Sequence, residues 1–148
     1  MKELSYNATS VLIDGFALLI EGKPKSGKSS LALALIDEGA QLISDDVTFL
    51  TLKNQKIYAL PPQKLGSHLF IRGMGILKLK EVITEPAEIK AIIRLNETDN
   101  ISLTQEYALI LGIEVPVFNF KMYDFALTKK IKAVIRLLKK EWVLIETV

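Results

Sequence analysis

The stretch GKPKSGKSS, Gly22 to Ser30, lies between an apolar run, FALLIE, and a second apolar run of helix-forming composition, LALALIDEGA. No other part of the chain limits the fold as strongly. A buried strand, a glycine-rich loop and a helix in that order belong to α/β proteins. The stretch fits G-x-x-x-x-G-K-[ST] at Gly22, Gly27, Lys28 and Ser29. Gly22 and Gly27 let the backbone bend so that successive N–H groups point inward at a polyphosphate. The helix that follows brings its positive end to the same spot. Lys28 adds a full charge near the β- and γ-phosphates, and the Ser29 hydroxyl suits Mg²⁺, a hard ion that prefers oxygen.

The expected phosphate site is therefore Gly22, Lys23, Pro24, Lys25, Ser26, Gly27, Lys28, Ser29 and Ser30. Lys23 and Lys25 read either as further phosphate contacts or as solvated loop lysines. Ser44-Asp45-Asp46 follows the next short apolar run, QLIS. The C-terminal ends of strands in parallel α/β sheets face the ligand crevice. Two adjacent carboxylates there can divide the work, one holding Mg²⁺ and the other taking the proton of an attacking hydroxyl. An ordinary acidic turn is the alternative. FIRGMG places Arg72 between apolar residues and two glycines, as a phosphate or partner clamp or as a strand-edge arginine. His68, the one histidine, reads as a surface or half-buried residue.

Composition narrows the class. With 148 residues, 49% hydrophobic and 24% charged, the chain suits one domain, 1–148, with a substantial core. A net charge of +2 with dispersed basic residues argues against nucleic acid. There is no cysteine, which excludes disulfides and thiolate metal sites. No leader and no membrane span are expected, and the reading is a cytoplasmic protein. Arginine is scarce, with Arg72, Arg94 and Arg136 against sixteen lysines.

The pattern predicts hairpins at SVLI-DG-FALLIE and VTFLTLKNQKIYAL, the second stopped by Pro61-Pro62. It predicts a helix over Lys28 to Glu38 with Leu31, Ala32, Leu35 and Ile36 inward and Gly39 past its end. FIRGMGILKL reads as strand broken by Gly73 and Gly75; EIKAIIRLN is ambiguous between helix and strand, and its β-branched residues and the alternation of Ile89, Ala91, Ile93 and Leu95 on one face favour a strand. ETDN is a turn, and EYALILGIEVPVFNF is strand, glycine turn, strand. LTKKIKAVIRLLKKEW is a basic amphipathic helix with Leu127, Ile131, Val134, Ile135 and Leu138 inward. It either docks a partner or covers the sheet.

NATSVLIDGFALLIEGKPKSGKSSLALALIDEGAQLISDD followed by FIRGMGI resembles the catalytic domain of bacterial HPr kinase/phosphorylase, nearest to short forms without the N-terminal domain. The specific part is the combination: ID-G before the strand, the GKS loop, a helix ending in Gly-Ala, the DD pair and RG-x-G. EYALILGIEVPVF continues it weakly. The resemblance implies a P-loop domain like that of phosphoenolpyruvate carboxykinase, a central mixed sheet with flanking helices and β-hairpins. It implies ATP, or pyrophosphate or phosphate, with Mg²⁺ as cofactors, and a homo-oligomer, a hexamer. The implied partner is the phosphocarrier HPr, phosphorylated on serine and dephosphorylated with inorganic phosphate. By the same resemblance Lys28, Asp45, Asp46 and Arg72 are catalytic, and Ser29, Asp45 and Asp46 hold the metal.

The chain departs from that family at three places. Asn7 stands where the family has histidine, Phe70 where most members have glutamate, and KMYDFALT where a Pro-Gly-Arg-Asn segment is expected. Asp124 is a candidate displaced carboxylate. Binding a nucleotide needs only groups that are retained, whereas positioning a serine uses the lost ones. The leading expectation is an ATP/Mg²⁺-dependent serine kinase. A nucleotide-binding pseudokinase and a kinase for a small hydroxylated metabolite are the alternatives.

Overall fold

The computed structural model describes residues 2–62, 67–80, 82–98 and 106–146. In chain order the elements are β1 (Glu3–Tyr6), β2 (Thr9–Ile13), β3 (Phe16–Glu21), α1 (Lys28–Asp37), β4 (Gln41–Ser44), β5 (Thr48–Lys53), β6 (Lys56–Ala59), β7 (Ser67–Ile71), β8 (Gly75–Leu79), β9 (Ala87–Asn96), β10 (Glu106–Ile110), β11 (Ile113–Lys121) and α2 (Leu127–Leu138). The expected hairpins form. Their two-residue turns place both residues at positive φ: Asp14 at 51° and Gly15 at 79°, Asn54 at 52° and Gln55 at 63°. Such turns match the right-handed twist of the strands they join. β1 is an addition, because ELSY carries no alternation strong enough to mark a strand. It pairs antiparallel with β5, from Glu3 opposite Thr51 to Tyr6 opposite Thr48. The ETDN turn is described only through Thr98.

β3 fixes the architecture. It lies parallel to β9, and β9 lies parallel to β11. On its other side β3 pairs antiparallel with β2, which pairs antiparallel with β4. Strands β3, β4, β9 and β11 therefore all point the same way, and their C-terminal ends form one rim. The nine-stranded mixed sheet runs β1-β5-β6-β9-β3-β2-β4, with β10 and β11 attached through β9. β7 and β8 form a separate two-stranded sheet.

The apolar continuity of FALLIE is explained by two cores. Leu18 and Ile20 pack on one face of the sheet with α1, α2 and β7. Ala17 and Leu19 pack on the other, with Leu50, Ile57 and Ala59 of the β5–β6 hairpin and Val115 and Val117 of β11. α1 buries Leu31, Ala32 and Leu35, and Ile36 is only partly covered. α1 ends as its glycine predicts: Gly39, at φ 110°, donates to the Ile36 carbonyl at 3.0 Å, and Ala40 donates to that of Leu35 at 3.0 Å. α2 buries Leu127, Ile131, Val134 and Ile135 against the same core.

β9 is a strand, but its expected face is corrected. The register with β3 shifts between Ala17 and Leu18, so Ala17 faces Ile89 while Leu18 faces Ala91. Ala91, Ile93 and Leu95 enter the helix-side core, whereas Ile89 joins Ile92 in the opposite one. An extra residue in a ladder reverses the side-chain alternation beyond it. Such a bulge is set by the partner strand and leaves no local mark in the sequence.

Candidate functional site

The rim of parallel strand ends gathers the motif residues. β3 runs out at Glu21 into the Gly22–Gly27 loop, which enters α1 at Lys28. Gly27 is left-handed, at φ 92°, and its carbonyl accepts the N–H of Leu31 at 2.9 Å. Gly22 has no room for a side chain: a Cβ there would stand 2.5 Å from Ser26 Oγ and 3.3 Å from Leu95 Cβ. Ser26 is 2% exposed and its hydroxyl has no hydrogen-bond partner among the described residues. Lys28 Nζ donates to the Gly22 carbonyl at 3.0 Å, so the ammonium stands at the mouth of its own loop. Lys23, Pro24, Lys25 and Ser30 are exposed.

Asp45 and Asp46 come off the end of β4 into the same space, in different states. Asp45 Oδ1 accepts from Ser29 Oγ and Thr9 Oγ1, both at 2.9 Å, and Oδ2 accepts the Phe70 N–H at 3.1 Å. It thereby ties the start of α1, β2 and β7 together. Asp46 is exposed, sits at φ 64°, and makes its contact through its N–H, which donates to Thr9 Oγ1 at 3.3 Å. The loop, Ser29 and the acidic pair are thus brought together. Arg72 is exposed in the β7–β8 turn, two residues beyond the Phe70 amide bound to Asp45, and forms no ion pair among the described residues. His68 is exposed on β7. Asp124 is committed elsewhere: it accepts the Ala126 N–H at 2.8 Å and pairs with Lys130, and these contacts hold its carboxyl below the usual range. No cluster of three or more metal-ligating side chains occurs among the described residues.

Sequence reasoning missed several members. Thr9 is fully buried, and its hydroxyl bridges both aspartates. Its only signal is its place at the start of the strand paired with β3 and β4. A cleft of about 490 Å³ on the β9 side of the loop is lined by Asn7, Gly22, Lys23, Ser26 and Asn96, among others. Its wall carries a polar chain. Arg94 Nε donates to Glu21 at 2.5 Å and Nη1 to Glu106 at 2.6 Å, while Asn119 donates to Glu106 at 2.6 Å. Burial works against the Arg94 charge, but the two carboxylates outweigh it and raise its pKa. Asn119 and Arg94 hold the Glu106 carboxyl low.

Tyr6 donates to Glu21 at 2.6 Å. Burial first, then this contact, push its phenol well above the ordinary value of 10.0. The folded state therefore holds a proton that the unfolded chain releases. That stability is complete below pH 10.0 and is lost as the pH rises beyond it. The thermal midpoint of the wild type should fall on crossing this pH more steeply than that of Tyr6→Phe. Parallel falls in the two proteins would remove Tyr6 as the cause.

Such a site defines an α/β domain that presents a glycine-lysine loop and a carboxylate pair at one end of a mixed sheet. The family model described as HPr Serine kinase C-terminal domain matches residues 1–143. The chain is 28% identical over 130 residues to the HPr kinase/phosphorylase of Chloroherpeton thalassium, covering 80% of this chain and 38% of that protein. It is 32% identical over 120 residues to that of Geobacter sulfurreducens, covering 72% and 38%. The chain thus spans about two-fifths of the length of these curated relatives. A solved structure, of the Hpr(Ser) kinase/phosphatase from Coxiella burnetii, superposes with a TM-score of 0.80 at 30% identity, covering 94% of this chain and 99% of that one. The chain belongs to the HPr serine kinase C-terminal domain family. Among the described residues no helix is long and apolar enough to cross a membrane.

Proposed function

We propose that this chain transfers a phosphoryl group from ATP to a serine hydroxyl of HPr. One observation carries the reading: Ser29 at the start of α1 and Asp45 at the end of β4 meet at 2.9 Å beside the Lys28 loop, with a second carboxylate, Asp46, exposed next to them. The family membership and the names of the relatives point the same way.

The residues fit magnesium. Mg²⁺ keeps several waters and binds through one or two carboxylates plus substrate phosphates, not through an all-protein cage. One hydroxyl and one carboxylate in contact, without a third acidic ligand, are such a donor set. Ser29 and Asp45 would hold the ion, which neutralises charge on the phosphates when bound. Lys28 exchanges the Gly22 carbonyl for phosphate oxygen, a stronger charge-assisted partner. The N–H groups of the loop and the first turn of α1 orient the anion. Asp45 keeps the Ser29 hydroxyl in place. Asp46, with no side-chain partner among its described contacts, takes the proton of the acceptor hydroxyl. Arg72 balances charge from the adjacent hairpin turn. Asn7 cannot relay a proton as an imidazole does, so proton handling rests on Asp46.

The test is incubation of the protein with labelled ATP, Mg²⁺ and HPr. Phosphoserine on HPr is the expected product. ATP binding measured by calorimetry with HPr left unlabelled would overturn the acceptor assignment.

A further inference from the structure

We infer that a hollow beside Tyr123 receives the base of the nucleotide whose phosphates occupy the Gly22–Ser29 loop, an inference that rests on the nucleotide reading above. The hollow, about 220 Å³, adjoins the loop through Ser26 and Gly27 and runs along α1 past Ser30 and Ala34. Ser30 and Ala34 are four residues apart and so share one face of the helix. Its opposite wall is the segment that starts α2, with Tyr123, Phe125 and Thr128. This is the stretch where the chain departs from the expected family motif.

Three features select a flat, uncharged ring. First, the wall is aromatic. The Tyr123 ring lies on Gly27, its Cε1 only 3.1 Å from where a Cβ would stand, and its hydroxyl donates to the Lys25 carbonyl. The ring is otherwise open, at 67% exposure, and Phe125 is wholly exposed at 102%. Two large aromatic side chains left in water within three residues offer the stacking surface that bases use on other proteins. Second, the remaining polarity is neutral. Ser30 and Thr128 supply hydroxyls, while the Asp124 carboxylate is already satisfied by Ala126 and Lys130. Third, the space accommodates a ring system but not a whole nucleotide, so the phosphates must lie in the adjoining loop. A pocket with a few hydroxyls among apolar walls is the usual form of a small-molecule site.

The test compares ATP with inorganic tripolyphosphate, both with Mg²⁺, by calorimetry on the whole chain. ATP should bind about tenfold or more tightly, the scale of one stacked base. Ala34→Met fills the hollow with a good helix former, and Phe125→Ala removes an exposed ring without opening the core. Each should weaken ATP toward the tripolyphosphate value and leave tripolyphosphate unchanged. Equal affinity of the wild type for the two ligands, or a preference for ATP that survives Ala34→Met, overturns the base site while the phosphate site stands. Binding of neither ligand defeats both. Concentration-dependent mass by light scattering, lost in Phe125→Ala and without any preference for ATP, would instead make this surface a contact between two copies of the chain and overturn the base site.

Discussion

Lys28→Ala should reduce phosphoryl transfer to HPr by about 10²- to 10³-fold, the usual cost of removing one preorganised electrostatic group. The ammonium is held 3.0 Å from the Gly22 carbonyl at the mouth of the loop. It needs only to exchange one oxygen acceptor for another, so little reorganisation precedes binding. The partner left behind is a backbone carbonyl of a half-exposed residue that water can reach. Folding should therefore be almost untouched, and the thermal midpoint should stay near that of the wild type. ATP affinity should fall together with the rate, because the charge acts on the ground state as well. Lys23→Ala and Lys25→Ala are the controls. Both side chains are exposed and outside any ion pair among the described residues, so their effect should be far smaller. Unchanged affinity and rate in Lys28→Ala would remove the loop from the chemistry.

The adjacent carboxylates should fail in different ways. Asp46→Asn should lower the rate by about 10²- to 10⁴-fold, the range for loss of a general base. Its thermal midpoint and ATP affinity should hold, since the exposed side chain has no hydrogen-bond or ion-pair partner among the described residues. Asp45→Ala should damage both. It strands the Thr9 hydroxyl, which is fully buried, together with the Ser29 hydroxyl and the Phe70 N–H. A buried donor without a partner costs about 1–3 kcal/mol. In a domain of this size the midpoint should drop by about 4–8 °C for 2 kcal/mol. Calorimetry, melting curves and HPr labelling on the two variants separate the roles. A stable Asp45→Ala beside an unstable Asp46→Asn would invert the assignment.

The loop and the acidic pair were legible because their chemistry is local. A glycine whose Cβ would stand only 2.5 Å from Ser26 Oγ, and another at φ 92°, are written directly as glycine. The helix stripes at Leu31, Leu35, Ile131 and Ile135 follow from period alone, and the turns at Asp14-Gly15 and Asn54-Gln55 follow from turn-forming residues between apolar runs. What stayed hidden depends on partners far along the chain. Thr9 earns its place only once β2 lies beside β4, which brings residue 45 to it. Arg94 reads as one of three charged residues in β9, with Glu88 and Lys90, until parallel pairing sets Glu21 beside it and brings Glu106 within reach. Tyr123 gains a role because β11 ends on the rim that holds Gly27. Ile89 changes sides through a register shift that belongs to two strands at once.

That displaced register also bears on how the domain comes apart. A ribbon that feeds aliphatic groups into both oily layers leaves neither able to melt alone. Loosening the helical side disturbs the packing beneath the hairpins, and the reverse holds equally. Loss of structure should then be all-or-none, with the anion cradle surviving as long as its central ribbon does.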